Sequence, residues 1–302
     1  MLRIFLTFFC FGLTLHLSAQ SQFESFLTPT DTLQTSRRNT VLITEAAVSS
    51  AAIIGLSQLW YADYPHSNFH FIDDSSEWLQ LDKAGHLFSS YHLGRLSKEA
   101  LAWSGVSRKD QLLYGATFGF AFLTAVEVLD GYSAQWGASW SDVAANATGT
   151  ALYVSQELCW KEQRIIPKYS FHTTAYAAQR PELLGSSLQE QGLKDYNGQT
   201  YWLSVNVRSF VKSNAIPAWL NLALGYGAEG MLSANALSVN SSLLPAARTR
   251  QFYFSFDVDL TKIKTKSSIF KTLFSVFNTI KIPAPTLEYK ESGPIKWWPI
   301  YF

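Results

Sequence analysis

Asp82, Lys83 and His86 stand within about one helical turn at the head of an apolar run, "LDKAGHLFSSY" over residues 81–91. On a helix, residues i and i+4 share a face, so Asp82 and His86 can meet one partner while Lys83 lies beside them. An acid beside an imidazole is a pairing suited to general acid–base work. An imidazole among carboxylates also makes an adequate donor set for a divalent cation. Further along, Glu127 closes an otherwise apolar stretch, where a buried carboxylate requires a partner. "SWSDVAANATG" over 139–149 sets Ser139 as an N-cap and Asp142 with Asn146 at i, i+4. Gly149 continues that face where no side chain obstructs a neighbouring helix. Three helices thus each offer a polar face, and the spacing predicts that the faces converge. His66, His70, His92 and His172 lie among aromatics in loops or on another face and are expected as ordinary core or surface histidines.

The elements that position these groups follow from periodicity and breakers. Thr40 to Trp60 carries one charge, Glu45, among Ala, Ser and Gly, and reads as a first helix; its length would allow a membrane span, while its small residues equally suit close packing. Tyr61 to Glu77, with Pro65, Asn68 and Asp73-Asp74, reads as a loop. A second helix is expected from about Asp82 to Trp103; His86, His92, Arg95, Lys98 and Glu99 in its interior make it amphipathic and not lipid-spanning. A third covers about Lys109 to Leu129, with Gly115 and Gly119 as a small-x-x-x-small face, and a fourth runs from Ser139 to about Trp160. Residues 40–167 are therefore predicted to form a bundle of about four helices.

Beyond residue 196 the texture changes. Tyr201 to Phe210, Leu220 to Tyr226 and Gln251 to Leu260 alternate in period two and read as strands, with a short helix as the alternative for Trp219 to Gly227. Lys262 to Lys281 holds five lysines and no acid, with Phe270, Leu273, Phe274 and Phe277 at helical spacing. It reads as a core-facing helix with a solvated lysine face; an interfacial helix is the alternative. Ile282 to Pro285 imposes an extended turn. The terminal "KWWPIYF" resembles the last strand of an outer-membrane barrel, yet Pro299 interrupts it and only about four or five strands are visible where at least eight are required, so no complete spanning barrel is expected. The fold class expected is mainly α, with a smaller C-terminal α+β region, 168–302, containing a short antiparallel sheet.

Composition bounds the setting. Of the 302 residues 47% are hydrophobic and 16% charged, against roughly 25% charged in an average soluble domain. That points to an envelope or membrane-contacting protein. A net charge of +1 gives no global field for nucleic acid, which is excluded as a partner. Arg3, the apolar run Ile4 to Leu15 and Leu17-Ser18-Ala19 read as a cleaved secretory signal over 1–19, followed by a polar linker over 20–39. Cys10 lacks the small residues before it that a lipoprotein signal requires. Cleavage leaves Cys159 as the one cysteine, expected as a small buried hydrophobe, so no intramolecular disulfide forms.

"DKAGH" at 82–86, the acid Glu127 and "SWSDVAANATG" at 139–149 follow the pattern Asp-Lys-x-x-His, Glu, Ser-x-x-Asp-x-x-x-Asn-x-x-Gly. Over residues 40–160 this resembles the uncharacterised YfiM-like family of predicted periplasmic lipoproteins and, more distantly, the membrane-embedded VanZ-like family. The resemblance singles out Asp82, Lys83, His86, Glu127, Ser139, Asp142, Asn146 and Gly149. The VanZ-like pattern places Gln three residues after the Glu, where Asp130 stands here. Neither family lends a biochemical activity.

Three readings of the cluster compete: an interhelical hydrogen-bond network, a ligand or metal site, and an enzyme in which His86 is oriented by Asp82 with Glu127 as a second titrating group. No G-x-S-x-G elbow, phosphate loop or H-E-x-x-H motif supplies the rest of a mechanism. The expectation is a non-enzymatic structural or ligand-binding component of the cell envelope. It is exported to the periplasm or the periplasmic face of the outer membrane, with membrane lipid or an envelope protein as partner. The alternative is a divalent-metal-binding or hydrolytic envelope enzyme using His86 with Asp82, Glu127 and Asp142, the metal held by His86, Glu127 and Asp142. No other cofactor is expected.

Overall fold

The computed structural model describes residues 22–58, 65–236, 247–291 and 293–301. The signal segment 1–19, Cys10 and Phe302 lie outside the described residues. Four long helices lead the chain: α1 (Thr35–Leu56), α2 (Leu81–Trp103), α3 (Phe118–Asp130) and α4 (Trp140–Cys159). The expected second and fourth helices lie where their signals placed them, and Ser139 caps α4 by accepting from the Asp142 amide at 3.1 Å. The third departs from expectation. It opens with a short turn at Arg108–Asp110 and a π-helical turn at Gln111–Gly115 before α3 proper. The first begins at Thr35, within the polar stretch, and ends at Leu56.

Helix α2 is the hub and packs against α1, α3 and α4. Missing side chains set the α2 contacts with the two later helices. A Cβ on Gly149 would stand 2.2 Å from both the Leu87 carbonyl and Ser90 Oγ, and one on Gly119 would stand 2.1 Å from the Ser90 carbonyl. Both distances are far inside van der Waals contact, so α3 and α4 approach the α2 backbone only because these positions are glycine.

The rest of the chain is an antiparallel meander of six strands: β3 (Ile165–Phe171), β4 (Gln199–Asn206), β5 (Leu220–Glu229), β6 (Thr249–Val258), β7 (Ala284–Lys290) and β8 (Lys296–Tyr301). A separate two-residue parallel pair, β1 (Phe71–Ile72) with β2 (Ala138–Ser139), ties the loop before α2 to the start of α4. The sheet is larger than the short one expected. β3 begins where the helical region was expected to end at residue 167 and β7 where a turn was expected: Pro167 sits in β3, the first strand of the meander, and Pro285 near the start of β7. The expected strand at 201–210 stops at Asn206 and turns into a short helix, Val207–Val211, while 220–229 is strand throughout. Short helices at Pro181–Leu184 and Leu188–Lys194 lie between β3 and β4.

Two further expectations are corrected. Cys159 is exposed, because the end of α4 turns its Leu158–Cys159 side to the surface. Helix α5 (Ser268–Phe277) is not core-facing: Phe270, Leu273, Val276 and Phe277 are all exposed.

Candidate functional site

The predicted polar faces meet. Helix α2 supplies Asp82, Lys83 and His86 from its first turns, α3 supplies Glu127 from its last, and α4 supplies Asp142 and Asn146 from its first two. The centre of one half is Lys83. Its Nζ lies 2.7 Å from Asp74, 2.9 Å from Asp82 and 2.9 Å from Asp142. All four side chains are nearly buried, so these charges interact in a medium far less screening than water.

Asp74 was not singled out from the sequence. It lies in the loop before α2, its side chain held by Lys83 and by the hydroxyls of Ser139 and Ser141 at 2.5 and 2.7 Å. Its neighbour Asp73 is exposed, and nothing in the spacing distinguishes the two. The β1–β2 pair, with Phe71 stacked on Trp140 at 5.1 Å, brings this loop onto the head of α4.

His86 is the centre of the other half. Asn146 Oδ1, 3.1 Å away, accepts from Nδ1, so in the neutral ring the Nε2 lone pair faces the carboxylates. Glu127 Oε1 stands 3.8 Å from Nε2 and Asp142 Oδ1 3.6 Å from it. The orienting partner of His86 is therefore Asn146, and not Asp82 as expected; Asp82 turns to Lys83. Among the described residues Asp142 Oδ1 finds no well-angled hydrogen bond, although Lys83 and His86 both face it, and Asn146 Nδ2 is buried without a partner. Ser139 binds the cluster together, its amide donating to Glu127 Oε2 at 3.1 Å and its hydroxyl to Asp74. Gly149 stands apart from these polar atoms and serves the α2–α4 approach.

Charge in the cluster does not balance. Four carboxylates face one lysine and one imidazole. Burial raises the Glu127 carboxyl to about 8, helped by the negative charges of Asp142 and Asp130. Burial also raises Asp142 to about 6, against the pull of His86 and Lys83, and raises Asp82 despite its contact with Lys83. At Asp74 burial pushes the same way but is overcome by the bonds from Lys83, Ser139 and Ser141, which bring it down to about 2. The surrounding acids hold Lys83 protonated despite its burial. Near neutral pH Glu127 thus keeps its proton while Asp74 is ionised.

The cluster forms the floor of a cleft of about 690 Å³, with Glu77, Trp78, Trp136 and Arg180 among its walls. This lies within the size range of small-molecule sites, roughly 300–1,000 Å³. The Trp78–Gln80 turn at its edge is left-handed at three successive residues, φ 47°, 51° and 66°. Such strain persists only where surroundings enforce it. Here Trp78 N donates to the Ala234 carbonyl at 2.9 Å, and Tyr226 Oη of β5 donates to the Leu79 carbonyl. The sheet thereby clamps one wall of the cleft.

His86, Glu127 and Asp142 place their donor atoms within 4.8 Å of one another. Donors about 2.1 Å from a tetrahedral ion are about 3.4 Å apart, close to the separations His86 already has. Among the described residues Asp74, Asp82 and Asp142 also gather, but Lys83 contacts all three.

No curated protein and no solved structure matches this chain. Residues 69–156, which contain every residue of the cluster, match the model of an uncharacterised family, DUF2279, described as a predicted periplasmic lipoprotein. That description agrees with an exported, periplasmic, membrane-associated location for a protein of the cell envelope.

Proposed function

We propose that this is an envelope ligand-binding protein, in line with its YfiM-like resemblance, and that the floor of its cleft binds a divalent cation through His86 Nε2, Glu127 and Asp142. The observation that carries the reading is the commitment of His86 Nδ1 to Asn146, which leaves Nε2 aimed at two buried carboxylates. A cation there offsets the surplus negative charge that otherwise retains a proton on Glu127. Imidazole and carboxylates suit zinc and neighbouring transition metals, and the cleft leaves a further position for water or a small ligand.

A structural role for the other half is favoured by a separate observation. Lys83 bonds to Asp74, Asp82 and Asp142, joining the loop before α2 with α2 and α4. This half locks the interhelical register and shapes the floor.

Equilibrium dialysis of the chelator-treated full chain against Zn²⁺ tests the cation reading. Binding should strengthen as pH rises towards 8, because the incoming ion must displace the Glu127 proton. It should be lost in Glu127→Gln and His86→Ala and kept in Asp82→Asn. Absence of binding by the folded wild type would overturn the reading.

A further inference from the structure

The six-stranded sheet has its polarity reversed. On the inner face Lys168 and Asp257 pair at 2.8 Å with both side chains fully buried, and Asp257 also accepts from Ser204 at 2.6 Å. Asn221 and Asn206 extend this network from the same side. The outer face carries the large apolar side chains, with Leu224, Phe254, Phe256 and Leu287 between 43% and 57% exposed. A water-soluble sheet does the opposite, since buried charge is costly and exposed apolar area is unfavourable.

The sheet is also rolled. β8 is four strands from β4, about 19 Å away if the sheet were flat. Yet Tyr301 of β8 packs on Tyr253 of β6 at 4.7 Å and on Trp202 of β4 at 6.0 Å, and its hydroxyl reaches Thr200 at 3.3 Å. The apolar face is therefore the convex one. At the free edge of β3 the segment Thr279–Lys281 takes up the Tyr169 amide and carbonyl at 3.0 and 2.9 Å.

We propose that the convex face of β4–β8 is embedded in lipid, with bilayer hydrocarbon in place of water against its apolar side chains. Strand register supports a bilayer in particular. The exposed part of an aromatic row at one end of the sheet is Phe252 and Tyr289, opposite one another on β6 and β7; its other members, Tyr226 and Tyr201, bond to the Leu79 carbonyl and pack on Phe88 of α2. The next row on that face is Leu203, Leu224, Phe254, Leu287 and Trp297. An aromatic row bordering an apolar band, over a polar interior, is the arrangement of a membrane-inserted sheet.

Length agrees. β5 and β6 are ten residues each. At about 3.3 Å per residue and a tilt of about 45° they cover about 23 Å, against an apolar band of about 25 Å in membrane sheets. Charge favours lipid over a second copy of the chain. Lys264, Lys266 and Lys271 are exposed in a segment without acids, beside the exposed apolar face of α5. These lysines complement anionic headgroups and would repel their own copies. Helix α2, which carries five ionisable side chains between His86 and Glu99, is a packing element in this reading and not a lipid-facing one.

The test uses the full chain with Cys10→Ser and Cys159→Ser, reconstituted in vesicles of phosphatidylethanolamine and phosphatidylglycerol. Single cysteines are introduced by Leu224→Cys and Phe254→Cys on the convex face, Ser255→Cys on the inner face and Glu182→Cys on an exposed helix, each labelled with a small environment-sensitive fluorophore. Nitroxide-bearing lipid should quench the labels at 224 and 254 several-fold more than those at 255 and 182, while aqueous iodide should quench only the label at 182. Iodide quenching at 224 and 254 would overturn the proposal. Protection from both quenchers, with cross-linking between chains, would overturn it in favour of a second copy. A variant-free measurement stands beside these: the unaltered chain should float with the same vesicles after a carbonate wash, and its remaining in the dense fraction would also refute lipid embedding.

Discussion

Replacing Lys83 with methionine preserves most of the side-chain volume while removing the one charge that three buried acids share. Those contacts are 2.7, 2.9 and 2.9 Å long, and the lysine side chain is 13% exposed. Removing one partner of a buried pair leaves an uncompensated charge and costs about 3–5 kcal/mol, whereas an exposed pair is worth about 0–1 kcal/mol. For a chain of this size about 2–4 °C of melting temperature accompanies each kcal/mol, so Lys83→Met should lower the melt by about 6–20 °C at pH 7. Arg180→Met, which breaks the partly exposed Arg180–Glu182 pair and a bond to the Leu232 carbonyl, is the comparison and should move it less. The deficit should shrink at pH 5, where Asp142, with its carboxyl at about 6, is protonated and no longer requires the lysine. Scanning calorimetry of the full chain in one detergent, at both pH values, measures this. A Lys83→Met melt no lower than that of Arg180→Met, or a deficit unchanged between pH 5 and pH 7, would refute the reasoning.

Other consequences follow from the same geometry. Glu127 has a folded-state pKa raised from 4.5 to about 8, so the stability it contributes is complete below about pH 4.5 and is lost as pH rises towards 8. Glu127→Gln should flatten the fall in melting temperature between pH 5 and 8, and an unchanged slope would contradict the assignment. Asp74, lowered to about 2, acts oppositely: its contribution is present above its unfolded value of 3.8 and lost as pH falls towards 2, so Asp74→Asn should blunt acid unfolding in a pH-jump melt. Gly149→Ala places a methyl 2.2 Å from the Leu87 carbonyl, and the resulting separation of α4 from α2 should cost about 1–3 kcal/mol in denaturant titration. Ser139→Ala removes both the α4 cap and a bond to Asp74, and should cost about 1–2 kcal/mol in the same assay.

Local signals carried much of the helical region. The i, i+4 pairs, the Ser139 cap and the glycine faces are short-range patterns, and α2 and α4 follow them closely. Asp74 was invisible because two of its three side-chain partners, Ser139 and Ser141, lie 65 and 67 residues away in sequence, and only the loop's pairing with β2 brings it beside them. Asn146 displaced Asp82 as the partner of His86 for a related reason: i, i+4 spacing places two side chains on one face but does not decide which of several long-range partners either will choose. In the C-terminal region the alternation of β6 was plain, but period two says nothing about which face is inside. Phe252, Phe254 and Phe256 share one face and are exposed, while the fold buries Gln251, Tyr253, Ser255 and Asp257 on the other. That inversion is fixed by the long-range pairing of Asp257 with Lys168, which no local window contains.

The cation reading of the cleft is tested most directly by Co²⁺ titration of the chelator-treated full chain at pH 8, followed by visible absorption. A nitrogen–oxygen site with near-tetrahedral donors predicts saturable ligand-field bands, displaced by Zn²⁺ and absent in His86→Ala and Glu127→Gln. A folded wild-type chain that develops no such bands and takes up no Zn²⁺ would contradict the account and leave the cluster as an interhelical lock alone.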